Sequence, residues 1–432
     1  MSIKEYGCAC GKNHINPVHK IIKGKGALKG LCDEVKAYKA KKAFVLCDKT
    51  TYSVAGERVC TQLKESGIQH TCFVIDSKMP QPDEKSVGSV IMNYDALSDI
   101  VIGVGSGVIN DIGKIVSATA KVPYIIVATA PSMDGYASAT SSMENAGVKV
   151  TIASKCPDVI IGDTDILKNA PMRMLKSGLG DMIAKYVSIC EWRIANIITG
   201  EYYCEEIALL VRKAVKLCTD NAVGLLHRDE KAVEAVFDGL VIGGIAMAYA
   251  GASRPASGIE HYLSHIWDMR GLEFGTKTDF HGIQCAVGTL EAVKLYERLK
   301  KTVPDREKAI SYVENFDYNE WKEKLMQFVG TGAESMIALE EKERKYDVSK
   351  HKERLEIIIS NWDKILTVIK EELPCKNDLQ KLFKTLDMPC DCEDIGIDRE
   401  ILTMTFKASK DIRDKYVLSR LSWDLGIIDE IV

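Results

Sequence analysis

Three of the chain's eight histidines, His261, His265 and His281, fall within the segment SGIEHYLSHIWDMRGLEFGTKTDFHG, residues 257–282. His261 and His265 are four apart, so on a helix they share one face about one turn apart. His281 follows a glycine-containing break and precedes a second apolar-periodic segment, GIQCAVGTLEAV. Imidazoles from one helix and from the start of the next could converge on one divalent ion. A catalytic tetrahedral site needs three protein ligands and an open fourth position. The spacing is equally that of ordinary helix histidines, because Glu260 precedes His261 and the HEXXH order is absent. Spacing alone leaves both readings open.

A second cluster stands near the N-terminus, where CACGKNH places Cys8, Cys10 and His14 close together. A structural metal would want a fourth ligand, for which His19 is the nearest candidate. The competing reading is an irregular leader with two free thiols. Cys375, Cys390 and Cys392 form a third, sparser grouping.

The elements that must position these groups differ along the chain. From Lys41 to Ser132 short apolar runs alternate with helical stretches: KKAFVLCD, HTCFVID, SDIVIGVGSG and KVPYIIVATAPS. Near-continuous apolar strands alternating with amphipathic helices predict a doubly wound, mostly parallel sheet of Rossmann-like type. After a hydroxyl-rich hairpin or loop, VKVTIASKCPDVIIGD reads as a returning strand. From Pro171 onward the pattern is helical only, with a bundle in 171–300 and a more charged helical tail. The expected division is an α/β domain at 1–170 and an all-α domain at 171–432.

Within the sheet, two features face the ligand side, beyond the carboxyl ends of strands. Asp48 ends the first of these strands, where it can accept from a ribose hydroxyl or simply cap the next helix. The segment GVGSGVINDIGK, Gly103 to Lys114, turns a strand into a helix through Gly103, Gly105 and Gly107. Backbone N–H groups at such a helix start can hold a pyrophosphate. It is neither a P-loop nor GxGxxG, since Val108 stands three after Gly105. Thr129, Ser132, Asp134 and Ser138 lie just past a later strand end. That set suits a sugar-phosphate or polyol, and also an ordinary surface loop.

At 432 residues, 46% hydrophobic and 27% charged, the chain reads as a globular protein of two or three domains. A formal net charge of −4 offers no basic footprint for nucleic acid. No uncharged apolar run suggests a membrane span. Fourteen dispersed cysteines and no signal-like layout at the start point to a reducing cytoplasm.

Taken as an ordered set, Asp48, GVGSGVINDIGK, TAPSMDGYAS, GLGDMIAK, EHYLSH and DFHG resemble the iron-containing alcohol dehydrogenase and dehydroquinate synthase-like superfamily. The TAPSMDGYAS segment is most similar to the glycerol-1-phosphate dehydrogenases, and CxCGxxH to a bacterial branch of them. The resemblance covers roughly residues 5–300 and the general helical tail. It implies an NAD- or NADP-dependent enzyme interconverting dihydroxyacetone phosphate and sn-glycerol 1-phosphate with one divalent metal, usually zinc or nickel. By the resemblance, Asp181, His261 and His281 are metal ligands, and His265 is a non-ligand catalytic histidine near nicotinamide and substrate. Gly105, Ser106, Gly107, Asn110 and Asp111, with Thr129, Ser132 and Ser138, correspond to the dinucleotide site, and Asp134 to a substrate contact. Asp134, Asp181 and His265 would thus face the substrate. Val104 departs from a glycine common in the family. Lys185, one turn from Asp181, could pair with a carboxylate or meet a phosphate. Asp48, an acid, favours NAD over NADP. The expected assembly is a homodimer acting on a small triose or glycerol phosphate. Competing readings are a dehydrogenase of unphosphorylated glycerol or another polyol, a dehydroquinate-synthase-like lyase, and a non-catalytic relative.

Overall fold

A computed structural model describes residues 6–77, 80–145 and 148–432. The chain divides into two compact units, Met1–Met182 with Lys213–Ala252, and Ile183–Arg212 with Ser253–Val432.

The first unit is built on six parallel strands: β1 Lys20–Gly24, β2 Lys42–Asp48, β3 Gln69–Ile75, β4 Ile100–Gly105, β5 Tyr124–Ala128 and β8 Val159–Asp163. Their order is β1-β8-β5-β4-β2-β3, and β6 Thr140–Asn145 with β7 Val148–Ala153 form a separate antiparallel hairpin. The doubly wound sheet expected from the alternating pattern is present. The central strands are apolar throughout because both faces are covered. On one face Val45, Ile102, Val104, Ile125, Val127 and Ile161 pack with helices α1 Leu31–Ala37 and α2 Glu57–Glu65. The alternate residues point the other way. There a Cβ on Gly103 would come within 2.4 Å of the Tyr124 hydroxyl, and one on Gly162 within 2.2 Å of Phe237.

α3 Glu84–Met92 follows β3, and α4 Gly107–Ala120 follows β4. The chain leaves β2 for β3 on one side and returns to β4 on the other, so the order reverses between β2 and β4. Asp48 and the glycine turn after β4 end the two strands that flank this reversal, the usual ligand crevice of open α/β sheets. β1 was not expected. It is a short edge strand, KIIKG, paired only through β8, and its lysines mark it as leader in a one-dimensional reading.

No described residue after Asp163 lies in a strand. α5 Met172–Ile183 ends where the first unit hands over to the second, followed by α6 Lys185–Thr199 and α7 Glu205–Asn221. α8 Glu230–Ala250 returns to the first unit, and its Phe237 covers Gly162. Among the described residues α8 is the one helix long and apolar enough to cross a membrane, and 67% of its most apolar stretch is buried. The second unit is helical: α6, then α9 Ile259–Phe274, α10 His281–Leu299 and eight helices from Arg306 to Asp424. A Cβ on Gly288 would sit 2.8 Å from the Glu260 carbonyl oxygen. That glycine lets α10 lie directly against α9.

Candidate active site

The close approach of α9 and α10 brings the three histidines together. Ring centroids are 5.0 Å apart for His261 and His281, 5.8 Å for His265 and His281, and 6.3 Å for His261 and His265. His261 and His265 sit one turn apart on α9, and His281 is the first residue of α10.

Two buried carboxylates set the start of α9. Gly258 N–H donates to Glu260 Oε1 at 2.7 Å and Ile259 N–H donates to Glu191 Oε2 at 2.8 Å. Negative charge at a helix start is favourable, because the first N–H groups have no partner inside the helix. A Cβ on Gly258 would meet Glu191 Oε2 at 2.6 Å and Glu260 Oε2 at 2.8 Å, so a larger residue would have to displace both carboxylates. Burial, reinforced by the neighbouring Glu260, pushes the Glu191 carboxyl up. Glu191 also accepts from Leu418 N–H at 2.8 Å and Tyr296 Oη at 3.2 Å, which ties α6, α9, α10 and the C-terminal helix together.

Glu260 Oε1 lies 2.8 Å from His261 Nδ1. An imidazole that donates its Nδ1 proton to a carboxylate presents Nε2 as a ligand, oriented and more basic. His281 has a corresponding support: Ser264 Oγ lies 3.3 Å from its Nδ1. Gln284 Nε2 donates to Ser264 Oγ at 3.1 Å and to Asp268 Oδ1 at 2.7 Å, which holds that serine in place. Both imidazoles are therefore arranged to point Nε2 at a common target.

Cys285, one turn along α10, was read from sequence only as part of an apolar helix. Its Sγ lies 3.5 Å from His281 Nε2, and one ligand atom each of His261, His281 and Cys285 falls within 4.8 Å of the others. Burial resists ionisation of this thiol, yet the charges of His261 and His281 outweigh it and hold the pKa below its ordinary value. Two imidazoles and a thiol at this separation are a donor set that a divalent ion of the zinc class would occupy. Glu260 and Cys285 were not singled out in advance: nothing in the residue order shows ring orientation or the register between two helices.

Asp181 stands in the last turn of α5 and belongs to the first unit, where its Oδ2 accepts from Asp134 N–H at 2.9 Å. Lys185 opens α6 and is fully buried.

The nucleotide-type turn is in the first unit. Gly105 must be glycine, because a Cβ there would lie 2.5 Å from Ile109 Cβ. Ser106 occupies the position before α4 without a side-chain cap bond, and the first helical bond runs from Asn110 N–H to Ser106 O at 2.9 Å. The N–H groups of Gly107 to Ile109 are thus the helix's unshared donors. A Cβ on Gly113 would lie 2.4 Å from the Tyr124 hydroxyl, so this later glycine brings helix and strand together.

Asn110 and Asp111 are engaged structurally. Asn110 Nδ2 donates to Gly135 O at 2.9 Å, and Asp111 pairs with Lys114 at 2.9 Å. The buried Lys114, which the sequence reading passed over, also donates to Thr140 O at 2.5 Å. Together they pin the loop carrying Asp134 and Ser138 to α4. Thr129, Ser132 and Ser138 are all buried beside that loop, and Ser138 Oγ lies 3.0 Å from Thr140 Oγ1. Asp48 is observed as a helix cap: its Oδ1 accepts from Thr51 N–H at 2.9 Å, and Asp48 N–H donates to Thr51 Oγ1 at 3.0 Å.

Of the C-terminal cysteines, Cys392 gathers with Glu291 and Asp391, while Cys375 is exposed. Lys294 and Arg399 pair with both carboxylates, so the group forms an ion-pair network.

Residues 22–171 match the family model described as iron-containing alcohol dehydrogenase. The chain is 33% identical over 293 residues to a glycerol-1-phosphate dehydrogenase [NAD(P)+] of Geobacillus thermodenitrificans, an alignment covering 67% of this chain and 72% of that one. A protein of the same name from Halalkalibacterium halodurans is 26% identical over 415 residues, 95% of this chain and 94% of that one. Among solved structures, a glycerol dehydrogenase from Schizosaccharomyces pombe superposes with a TM-score of 0.62 at 18% identity, covering 98% of this chain and 91% of the other, which is a likeness of fold. The chain belongs to the glycerol-1-phosphate dehydrogenase family, within the iron-containing alcohol dehydrogenases.

Proposed function

We propose that the chain is an NAD(P)-linked, metal-dependent dehydrogenase interconverting dihydroxyacetone phosphate and sn-glycerol 1-phosphate. The observation that carries this reading is the meeting of His261, His265 and His281, with both outer histidines supported at Nδ1. Asp181, His261 and His281 are proposed to hold the ion, zinc or nickel, for which two imidazoles and one carboxylate are suitable donors. When bound, that ion supplies Lewis acidity to a ketone oxygen that gains charge as hydride arrives.

The residues of the chain do the rest. The turn Gly105–Ser106–Gly107 receives the pyrophosphate on the N-terminus of α4. Thr129, Ser132 and Ser138 contact the dinucleotide, and Asn110 with Asp111 holds the loop that carries them. Asp48 accepts from a ribose hydroxyl while capping its helix. Asp134 contacts the substrate. A bound nicotinamide would supply hydride to the carbonyl carbon; His265 is proposed to deliver the proton that completes the alcohol and to take it back in the reverse direction. The enzyme is proposed to work as a homodimer in the cytoplasm.

The test is oxidation of NADH and NADPH by dihydroxyacetone phosphate after loading with zinc or nickel, with the product's enantiomer resolved. The expected result is metal-dependent consumption yielding the sn-1 isomer. Turnover of free dihydroxyacetone or glycerol in place of the phosphate ester would replace this reading with a polyol dehydrogenase, and no turnover with either would overturn it.

A further inference from the structure

Cys8, Cys10 and His14 of the first unit form a second set of donors. Gly7 and Gly11 have φ of +68° and +82°, and Gly11 N–H donates to Cys8 O at 3.0 Å. The backbone doubles back at the two left-handed positions, which glycine adopts without steric cost. This tight turn brings Cys8 and Cys10 together, and Cys10 Sγ lies 3.3 Å from His14 Nε2. One ligand atom each of Cys8, Cys10 and His14 falls within 4.8 Å of the others. His14 is completely buried, its ring centroid 5.7 Å from that of Tyr249. Lys12 Nζ donates to Ala250 O at 3.4 Å, so the loop is docked on the end of α8. His19 takes no part: its Nδ1 lies 3.0 Å from Tyr38 Oη and 3.7 Å from Asp158. The nearest candidate for a fourth ligand in the sequence is thus engaged elsewhere.

We propose that Cys8, Cys10 and His14 bind a second divalent ion, of the zinc class, whose role is to fold the N-terminal loop onto α8. Two soft sulfurs and one imidazole select zinc or cobalt over hard cations. Cysteine and histidine donors of this kind are those of structural zinc sites. A loop of this length has almost no apolar core of its own, and an ion joining three of its side chains offsets the entropy of ordering it.

The experiment counts metal in the purified full-length chain after zinc loading and desalting. Two zinc ions per chain are expected. Cys10→Ser and, separately, Cys8→Ala should each leave one, and His261→Ala should also leave one. X-ray absorption of the His261→Ala protein should then show sulfur scatterers at about 2.3 Å. One ion per chain in the unaltered protein, lost on His261→Ala, overturns this proposal and leaves the proposed function standing. One ion lost on Cys10→Ser but kept on His261→Ala supports the N-terminal site and removes the metal from the proposed active site. No bound ion overturns both. The count on the unaltered protein together with that on His261→Ala decides the matter even if a cysteine variant does not fold.

Discussion

The glycine turn after β4 and the histidine cluster between α9 and α10, the two proposed binding sites, are built in different ways. The turn works through backbone. Its donors are the first N–H groups of α4, and its side chains are kept small so that backbone is reachable. The cluster works through side chains whose orientation depends on further side chains: Glu260 behind His261, and Ser264 with Gln284 and Asp268 behind His281. Substitutions should therefore act differently in the two places. In the cluster, removing one atom pair disables the chemistry and leaves the fold. At the turn, adding an atom disturbs the fold first.

The largest effect is expected for His281→Ala. If His281 is a ligand as proposed, its loss should remove the ion and with it several kcal/mol of transition-state stabilisation, a fall in kcat/KM of about three orders of magnitude or more. Metal analysis and NADH oxidation on the same preparation check this. His265→Ala should keep the metal and still lose roughly 10²- to 10⁴-fold in turnover, the usual contribution of a positioned proton donor. Loss of metal from the His265 variant would make it a ligand and break the division of labour within the cluster.

Next comes Glu260→Gln. The amide keeps the shape and loses the charge that orients and polarises His261, so metal affinity should fall by about 10- to 100-fold. Competition with a chromophoric chelator measures it, and an unchanged affinity would mean that Glu260 serves only the start of α9.

The two regions also differed in how far they could be read without coordinates. The turn was legible because glycine spacing after an apolar strand is a one-dimensional signal of a tight strand-to-helix corner, and β2, β4 and β5 were legible because strands covered on both faces carry a continuous apolar run. β1 was hidden, since an edge strand with lysines at two of its five positions carries no such run. At the cluster the histidines were visible and their supports were not. Cys285 looked like one more small residue in an apolar helix, and Glu260 stood in the wrong order for a familiar motif. Glu260 acts through the orientation of the adjacent His261 ring, which residue order does not show; Cys285 reaches His261 through the register of α10 against α9, where Gly288 allows close approach, and register between helices leaves no periodicity in either one. Asn110, expected at the dinucleotide site together with Asp111, also donates from Nδ2 to Gly135 O, and Asp111 pairs with Lys114 on its own helix, contacts that sequence spacing does not show.

At the turn, Gly105→Ala should cost about 1–3 kcal/mol, because the new Cβ would lie 2.5 Å from Ile109 Cβ and α4 would have to shift. The melting temperature should drop and the Kd for NAD(P)H should rise together. A variant that melts normally and binds poorly would show that the methyl blocks the ligand directly and that the packing of α4 is not the limiting term.

The smallest effect, and the sharpest discriminator, is expected at Asp48. Its carboxylate is occupied as a cap for Thr51 N–H, and the same group is proposed to accept from a ribose hydroxyl. Asp48→Asn separates the two roles. Asparagine caps as well as aspartate, so stability should move by less than about 0.5 kcal/mol, whereas Asp48→Ala should lose roughly 1 kcal/mol. The charge, however, disappears in both. Two charges at contact distance in water interact by about 1 kcal/mol, so removing the acid should shift the NADH-to-NADPH preference roughly fivefold towards NADPH, read as a ratio of kcat/KM values. If the Asn variant keeps both its melting temperature and its coenzyme ratio, Asp48 is a cap alone, and coenzyme choice rests on the backbone of the turn.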